Sequence, residues 1–238
     1  MKDVLNVVTL CAVLMGGIVS LVPVALAENI SHRTLVEQFR RVVFFTEAGE
    51  GASGKPLVKW TGRVSATIFG GEIYRQNVLD LLKEISRLTG LKFSLALIPK
   101  QANLKIYFMR TNEIRKRLKL PYANCAGQFH GSRKTGAIGR AEVYISTDLK
   151  HKTVHCISEE ILQVMGLPND TNIIEASIFN EKSERKTISL ADKFLLRTLY
   201  DKRLKTNMTE SQAMPIAKNI LRELMVRVRK SQKERRKR

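Results

Sequence analysis

Residues 156–170 read Cys-Ile-Ser-Glu-Glu-Ile-Leu-Gln-Val-Met-Gly-Leu-Pro-Asn-Asp, and the reading of this stretch decides the fold. On a helix beginning near Cys156, Ile157, Ile161, Val164 and Met165 share one face. Glu159 and Gln163, four apart, share the opposite face, with Glu160 at its edge. Gly166 ends the helix, and Leu167-Pro168-Asn169-Asp170 turns the chain. An apolar face for a core thus backs a line of carboxyl and amide side chains that runs into a glycine turn.

Outward from this stretch, helical and extended patterns alternate. Arg33 to Thr46 places Leu35, Val36, Phe39, Val42, Val43 and Phe44 on a helical stripe behind a Ser31 cap. Glu47 to Pro56 is a glycine-rich loop, and Leu57 to Phe69 alternates as a strand through Val58, Trp60, Val64, Ala66 and Ile68. Tyr74 to Leu88 is a helix through Val78, Leu81, Leu82, Ile85 and Leu88, stopped by Thr89-Gly90. Strands are expected over 92–98 and 104–109, a short basic helix over 111–118, and strands over 128–133 and 137–146 joined through Gly136. Beyond Cys156 the pattern is helical, over 156–166, 188–200 and 209–232, with no repeat and no interdomain linker. This order predicts one α+β domain over 28–225, with a small mixed sheet and a helical C-terminal half.

The frame of the central stretch matches the long zinc-protease signature H-E-x-x-H-x-x-G-x-x-H-D, here Glu159-Glu160-x-x-Gln163-x-x-Gly166-x-x-Asn169-Asp170. In that signature two imidazoles one turn apart grip zinc, and the Glu between them polarises the metal-bound water. A third imidazole arrives after the glycine turn. Ser177-Ile178-Phe179-Asn180 resembles the turn beneath the metal in metzincins, with Phe179 where they carry Met. Thr187-Ile188-Ser189-Leu190, Asp192 and Leu199-Tyr200 resemble their final helix, and the strands upstream follow in the order a zincin sheet requires. The resemblance implies a zincin-like fold over roughly Trp60 to Tyr200. More closely, Cys156 to Asp170, Ser177 to Asn180 and Leu199-Tyr200-Asp201 resemble a family of exported proteobacterial proteins, the domain of unknown function 2927 family. That resemblance implies export from a bacterial cell and lends no activity.

The departures from the protease signature decide what chemistry to expect. Glu159, Gln163 and Asn169 occupy all three imidazole positions. Their oxygens suit harder ions than zinc, so the exchange weakens zinc binding by several orders of magnitude. Glu160 keeps the general-base position, but a base without metal-bound water has nothing to activate. The expectation is a scaffold without cofactor or metal, serving as a binding or accessory module. The alternative is an unconventional hydrolase in which Glu160 is the base and zinc or another divalent ion sits on Glu159 and oxygen ligands. A His155-Glu159-Gln163 ladder would face one ion if the helix began early enough, but Lys152 disrupts the motif around His151 and His155. His32 and His130 have no motif around them, so the histidines read as solvated or capping.

Compartment follows from the first residues and the cysteines. Lys2, an apolar run over 7–26 and Ala25-Leu26-Ala27 fit a signal peptide over 1–27, cleaved after Ala27. An uncleaved anchor is the competing reading, since 4–27 is long enough to span a bilayer, although Gly16, Gly17 and Pro23 weaken a permanent helix. The expected location is periplasmic or secreted, with no transmembrane helix in the mature form. Removing Cys11 leaves Cys125 and Cys156, which read as a disulfide in an oxidising compartment, or as a catalytic thiol beside His155.

Charge is the compositional outlier: 41 Lys and Arg against 22 Asp and Glu give +19. Thr209 to Leu224 carries an apolar stripe that should pack on the domain, with Pro215 inside it. Beyond it the 226–238 tail, ending in Arg235, Arg236, Lys237 and Arg238, opposes eight basic residues to Glu234 alone and reads as frayed. Anionic lipid or lipopolysaccharide phosphates, or an unknown envelope protein, are the partners such a surface suits. Export argues against nucleic acid, and no aromatic stacking set accompanies the second basic cluster, Arg115, Lys116 and Arg117.

Overall fold

A computed structural model describes residues 30–45, 54–235 and 237. The expected signal segment and most of the glycine-rich loop lie outside the described residues, as do Arg236 and Arg238. Helix α1 (His32–Phe44) starts where Ser31 Oγ accepts from the Thr34 amide at 3.0 Å, and it buries Leu35, Phe39, Val42 and Val43. Strand β1 (Val64–Phe69) leads through a 3₁₀ turn into helix α2 (Arg75–Thr89), which buries Val78, Leu81, Leu82 and Ile85. Strands β2 (Phe93–Leu95) and β3 (Leu104–Met109) follow, then helix α3 (Thr111–Leu118) and strands β4 (Ala126–Gly131) and β5 (Ile138–Ser146). Helices α4 (Lys150–Gln163), α5 (Leu190–Leu199) and α6 (Glu210–Arg235) make the C-terminal half helical.

The five strands form one mixed sheet in the order β2-β1-β3-β5-β4, all parallel except the edge strand β4, which runs antiparallel to β5. Alternation sets its faces: Leu104, Ile106 and Phe108 of β3 point into the core, while Lys105 and Tyr107 point away. On the outer face Phe69, Tyr107 and Tyr144 stack in a row across β1, β3 and β5. Arg117 of α3 lies over the two tyrosines at 4.9 and 5.4 Å. The basic helix therefore does have aromatic partners, though the rings face each other across the sheet.

The structure alters three expectations. Only 64–69 of the expected strand 57–69 joins the sheet, apart from a bridge between Lys59 and Ala137. Lys59 turns inward instead, its Nζ donating to the Leu199 and Leu204 carbonyls at 2.8 and 2.7 Å. Helix α4 starts at Lys150, six residues before Cys156, where the buried Thr153 anchors the first turn by bonding its Oγ1 back to the Ser146 carbonyl. The tail remains helical to Arg235, extending α6 by more than two turns beyond its last buried residue, Met225.

Candidate functional site

Helix α4 and the segment leading into β4 enclose a groove of about 730 Å³. The helix lines it with Lys152, His155, Glu159, Glu160 and Gln163; residues 120–128 form another wall, and Asp170, Glu181 and Ser183 complete the lining. Gly127 is what lets the strand close on the helix. A Cβ there would lie 2.9 Å from Val164 Cγ1 and 3.0 Å from the Glu160 carbonyl oxygen. The same wall is fastened to α4 by the Cys125–Cys156 disulfide, with Cα atoms 6.1 Å apart, so the cysteines are paired and neither is a free thiol.

Glu159, Gln163 and Asn169 each have partners of their own. Glu159 Oε2 lies 3.3 Å from His155 Nε2, one helical turn earlier. Gln163 Nε2 donates to Asp170 Oδ1 at 2.8 Å. Asn169, 5% exposed, turns toward α1, where its Nδ2 donates to the Val42 carbonyl at 3.0 Å. Glu159 and Gln163 therefore reach the groove, and Asn169 does not line it. Glu160 also lines the groove, 6% exposed and packed against Gly127. Among the described residues no three His, Cys, Asp or Glu side chains converge as a metal would require.

His155 overturns the expectation of a solvated or capping histidine: it is buried and paired. Its Nδ1 is 2.8 Å from the Arg185 carbonyl, which only accepts, so Nδ1 carries a proton and Nε2 faces the Glu159 carboxylate. Burial pulls its pKa down, but the carboxylate and the carbonyl outweigh burial and raise it above the ordinary histidine value. Down this face run a histidine–carboxylate contact, an ion pair whenever the imidazole is protonated, and then an amide–carboxylate hydrogen bond.

Around the 177–180 turn the buried polar groups are paired, except Gln38 Oε1. Asp192, fully buried, accepts from Ser177 Oγ at 2.6 Å and from the amides of Ile178 and Ser189 at 3.1 and 2.7 Å. It thereby pins the 177–180 turn to the start of α5, where Ser189 returns a cap to the Asp192 amide. Gln38 of α1 donates to Ser177 from the other side. The C-terminal carbonyls of α4 are capped by aromatic side chains, Trp60 Nε1 on Val164 and Tyr200 Oη on Met165, each at 2.9 Å. Gly166 has φ 102°, and a Cβ there would collide with the Val58 carbonyl oxygen, so only glycine fits this turn.

A family described as protein of unknown function (DUF2927) matches residues 32–219, which span every element from α1 into α6. The chain belongs to this family. Its description assigns no activity, and comparison with curated proteins yields no match.

The groove's lining distinguishes it from the rest of this member of the family. In a chain of net charge +19, Glu159, Glu160, Asp170 and Glu181 line it against Lys152 and His155. Glu181, Ser183 and the 120–128 wall were not legible as site residues. Each comes from a loop whose local pattern says nothing of α4, and only the cysteine pairing pointed to the wall. Arg235 and Lys237, at the far end of α6, are exposed and take no part in the groove.

Proposed function

We propose that this is an exported bacterial envelope protein whose zincin-like scaffold has lost its metal centre and whose groove holds a basic, extended segment of a protein partner without cutting it. The observation that carries the reading is the fate of the three ligand positions. Glu159 pairs with His155, Gln163 bonds Asp170, and Asn169 is drawn to α1, so they do not aim at a common point. Four parallel strands with an antiparallel edge, a helix beside that edge and a buried turn below it support the zincin-like part. Four carboxylates on the lining favour cationic side chains. The edge strand β4 is bonded on one side only, by β5, so its outer backbone is available to an added strand. Export rests on the apolar 7–26 segment and on a disulfide that needs an oxidising compartment. Among the described residues no helix is long and apolar enough to cross a membrane.

The test pairs metal content with peptide chemistry on the purified protein. The reading expects sub-stoichiometric metal and no cleavage of a general peptide substrate. It also expects binding of a Lys-rich extended decapeptide that weakens about tenfold in a Glu159→Gln, Glu181→Gln double variant. The competing reading, a hydrolase with Glu160 as base, is favoured by the placement of Glu159 and Glu160 side by side on the groove. One equivalent of chelator-sensitive metal and peptidase activity abolished by Glu160→Ala would establish it and overturn the binding module.

A further inference from the structure

The opposite edge of the sheet carries a surface of another kind. Strand β2 is three residues long, pairs among the described residues with β1 alone, and runs through 96–98 into the 3₁₀ turn Pro99–Gln101. Within four residues Leu95, Leu97 and Ile98 are 45%, 101% and 51% exposed. One exposed leucine needs no explanation, but three large apolar side chains on one turn, one of them wholly in solvent, mark an interaction site. Lys92 and Lys100 flank the turn, both exposed. Beside it, Lys83 and Arg87, one helical turn apart on α2, border a shallow apolar depression over Phe93 and Leu95. The neighbouring Glu84 is shared between Lys193 at 2.9 Å and Arg87 at 3.6 Å, so Lys83, Lys92 and Lys100 supply most of the positive charge. The result is an apolar projection with a collar of cations.

We propose that the 95–98 turn docks this protein on an anionic phospholipid bilayer, with Leu97 and Ile98 entering the acyl boundary and the cationic collar resting on head-group phosphates. The layering of the site matches that of the ligand: apolar at the tip, positive a few residues back. A protein partner would have to offer a pocket rimmed with acid to do the same. This inference is independent of the groove. The turn leads out of β2, at the sheet edge farthest in strand order from β4.

The experiment is vesicle co-sedimentation with the chain from Glu28 onward. That chain keeps the whole fold, since the described core is built from residues between Ile30 and Val228. Vesicles of phosphatidylcholine with one-third phosphatidylglycerol should bind it, and pure phosphatidylcholine vesicles should bind it at least about tenfold more weakly. A Leu97→Asn, Ile98→Asn variant, which removes only exposed side chains, should lose about tenfold or more in affinity for the anionic vesicles at an unchanged melting temperature. Lys92→Gln with Lys100→Gln should weaken binding and flatten its salt dependence. The proposal is overturned if the protein ignores anionic vesicles, or if the Asn variant binds them as the parent does. It also fails if binding disappears only on removing residues 229–238, which would assign the contact to the end of α6. Self-association abolished by the Asn variant, without vesicle binding, would make the turn a contact between copies and would equally overturn the bilayer.

Discussion

The groove face of α4 and the 177–180 turn that follows it in the chain differ in the kind of chemistry they hold. Around the turn, a fully buried carboxylate receives three hydrogen bonds, and the α4 terminus is closed by an indole, a phenol and a glycine that nothing else can replace. On the groove face, Glu159 and Gln163 find partners nearby that do not converge. The residues around the turn hold the fold together, so changing them costs stability. Glu159 and Gln163 line the groove and lie outside the apolar core.

The sharpest way to break this comparison is to place a side chain at Gly166. A Gly166→Ala variant meets both a positive φ of 102° and the Val58 backbone, and is expected to lose more than about 4 kcal/mol or fail to fold. A mild effect in chemical denaturation would show that the turn relaxes and is not a fixed support. Next is a matched pair. Asp192→Ala leaves two amides and a hydroxyl without their acceptor in the core, with an expected loss of about 3–5 kcal/mol. Glu159→Gln, on the groove face, leaves an imidazole that can shed its charge and should lose less, about 1–2 kcal/mol. Equal losses in the two variants would erase the distinction between the turn and the groove face.

Lys59 sharpens the same contrast through pH. Burial lowers its pKa to about 8 from the ordinary lysine value of 10.5. The folded protein therefore binds fewer protons than the unfolded chain between those values, and the penalty of the buried charge is relieved as pH rises through that window. Relative to a Lys59→Met variant, the parent should gain stability from pH 8 to 10.5, by on the order of 3 kcal/mol at most. A flat difference curve would mean that the Leu199 and Leu204 carbonyls stabilise the ammonium as well as water does.

How much of this was legible depended on whether a residue's neighbours were local. Helix 111–118 and strand 104–109 were read to the residue, because Ile114 and the Leu104-Ile106-Phe108 alternation are local patterns. The expected strand over 57–69 failed because its alternation continues through Lys59, whose ammonium is satisfied by carbonyls 140 and 145 residues away. The first turns of α4 were missed because Thr153 and His155 look like solvent-facing residues until Ser146 and Arg185 arrive as partners. In the candidate site, the α4 residues and the disulfide were visible from spacing and cysteine count. Glu181 and Ser183, and Gly127 with its close approach, depend on packing that no periodicity encodes.

His155 provides the smallest effect and the most specific one. It and Glu159 are the groove residues most nearly built as a unit, and the pair titrates. Because the folded pKa lies above the unfolded value near 6.5, the folded protein holds the proton more tightly. The pair's contribution is therefore complete below pH 6.5 and fades as pH climbs through the folded pKa. A Glu159→Gln variant removes the carboxylate that raises it, so the parent and variant stability curves should separate at pH 6 and converge at alkaline pH. The imidazole resonances, followed by NMR, should titrate at lower pH in the variant. If the parent were more stable than the variant at high pH instead, Glu159 would be acting through something other than the imidazolium, and the ladder on this face would not be an ion pair.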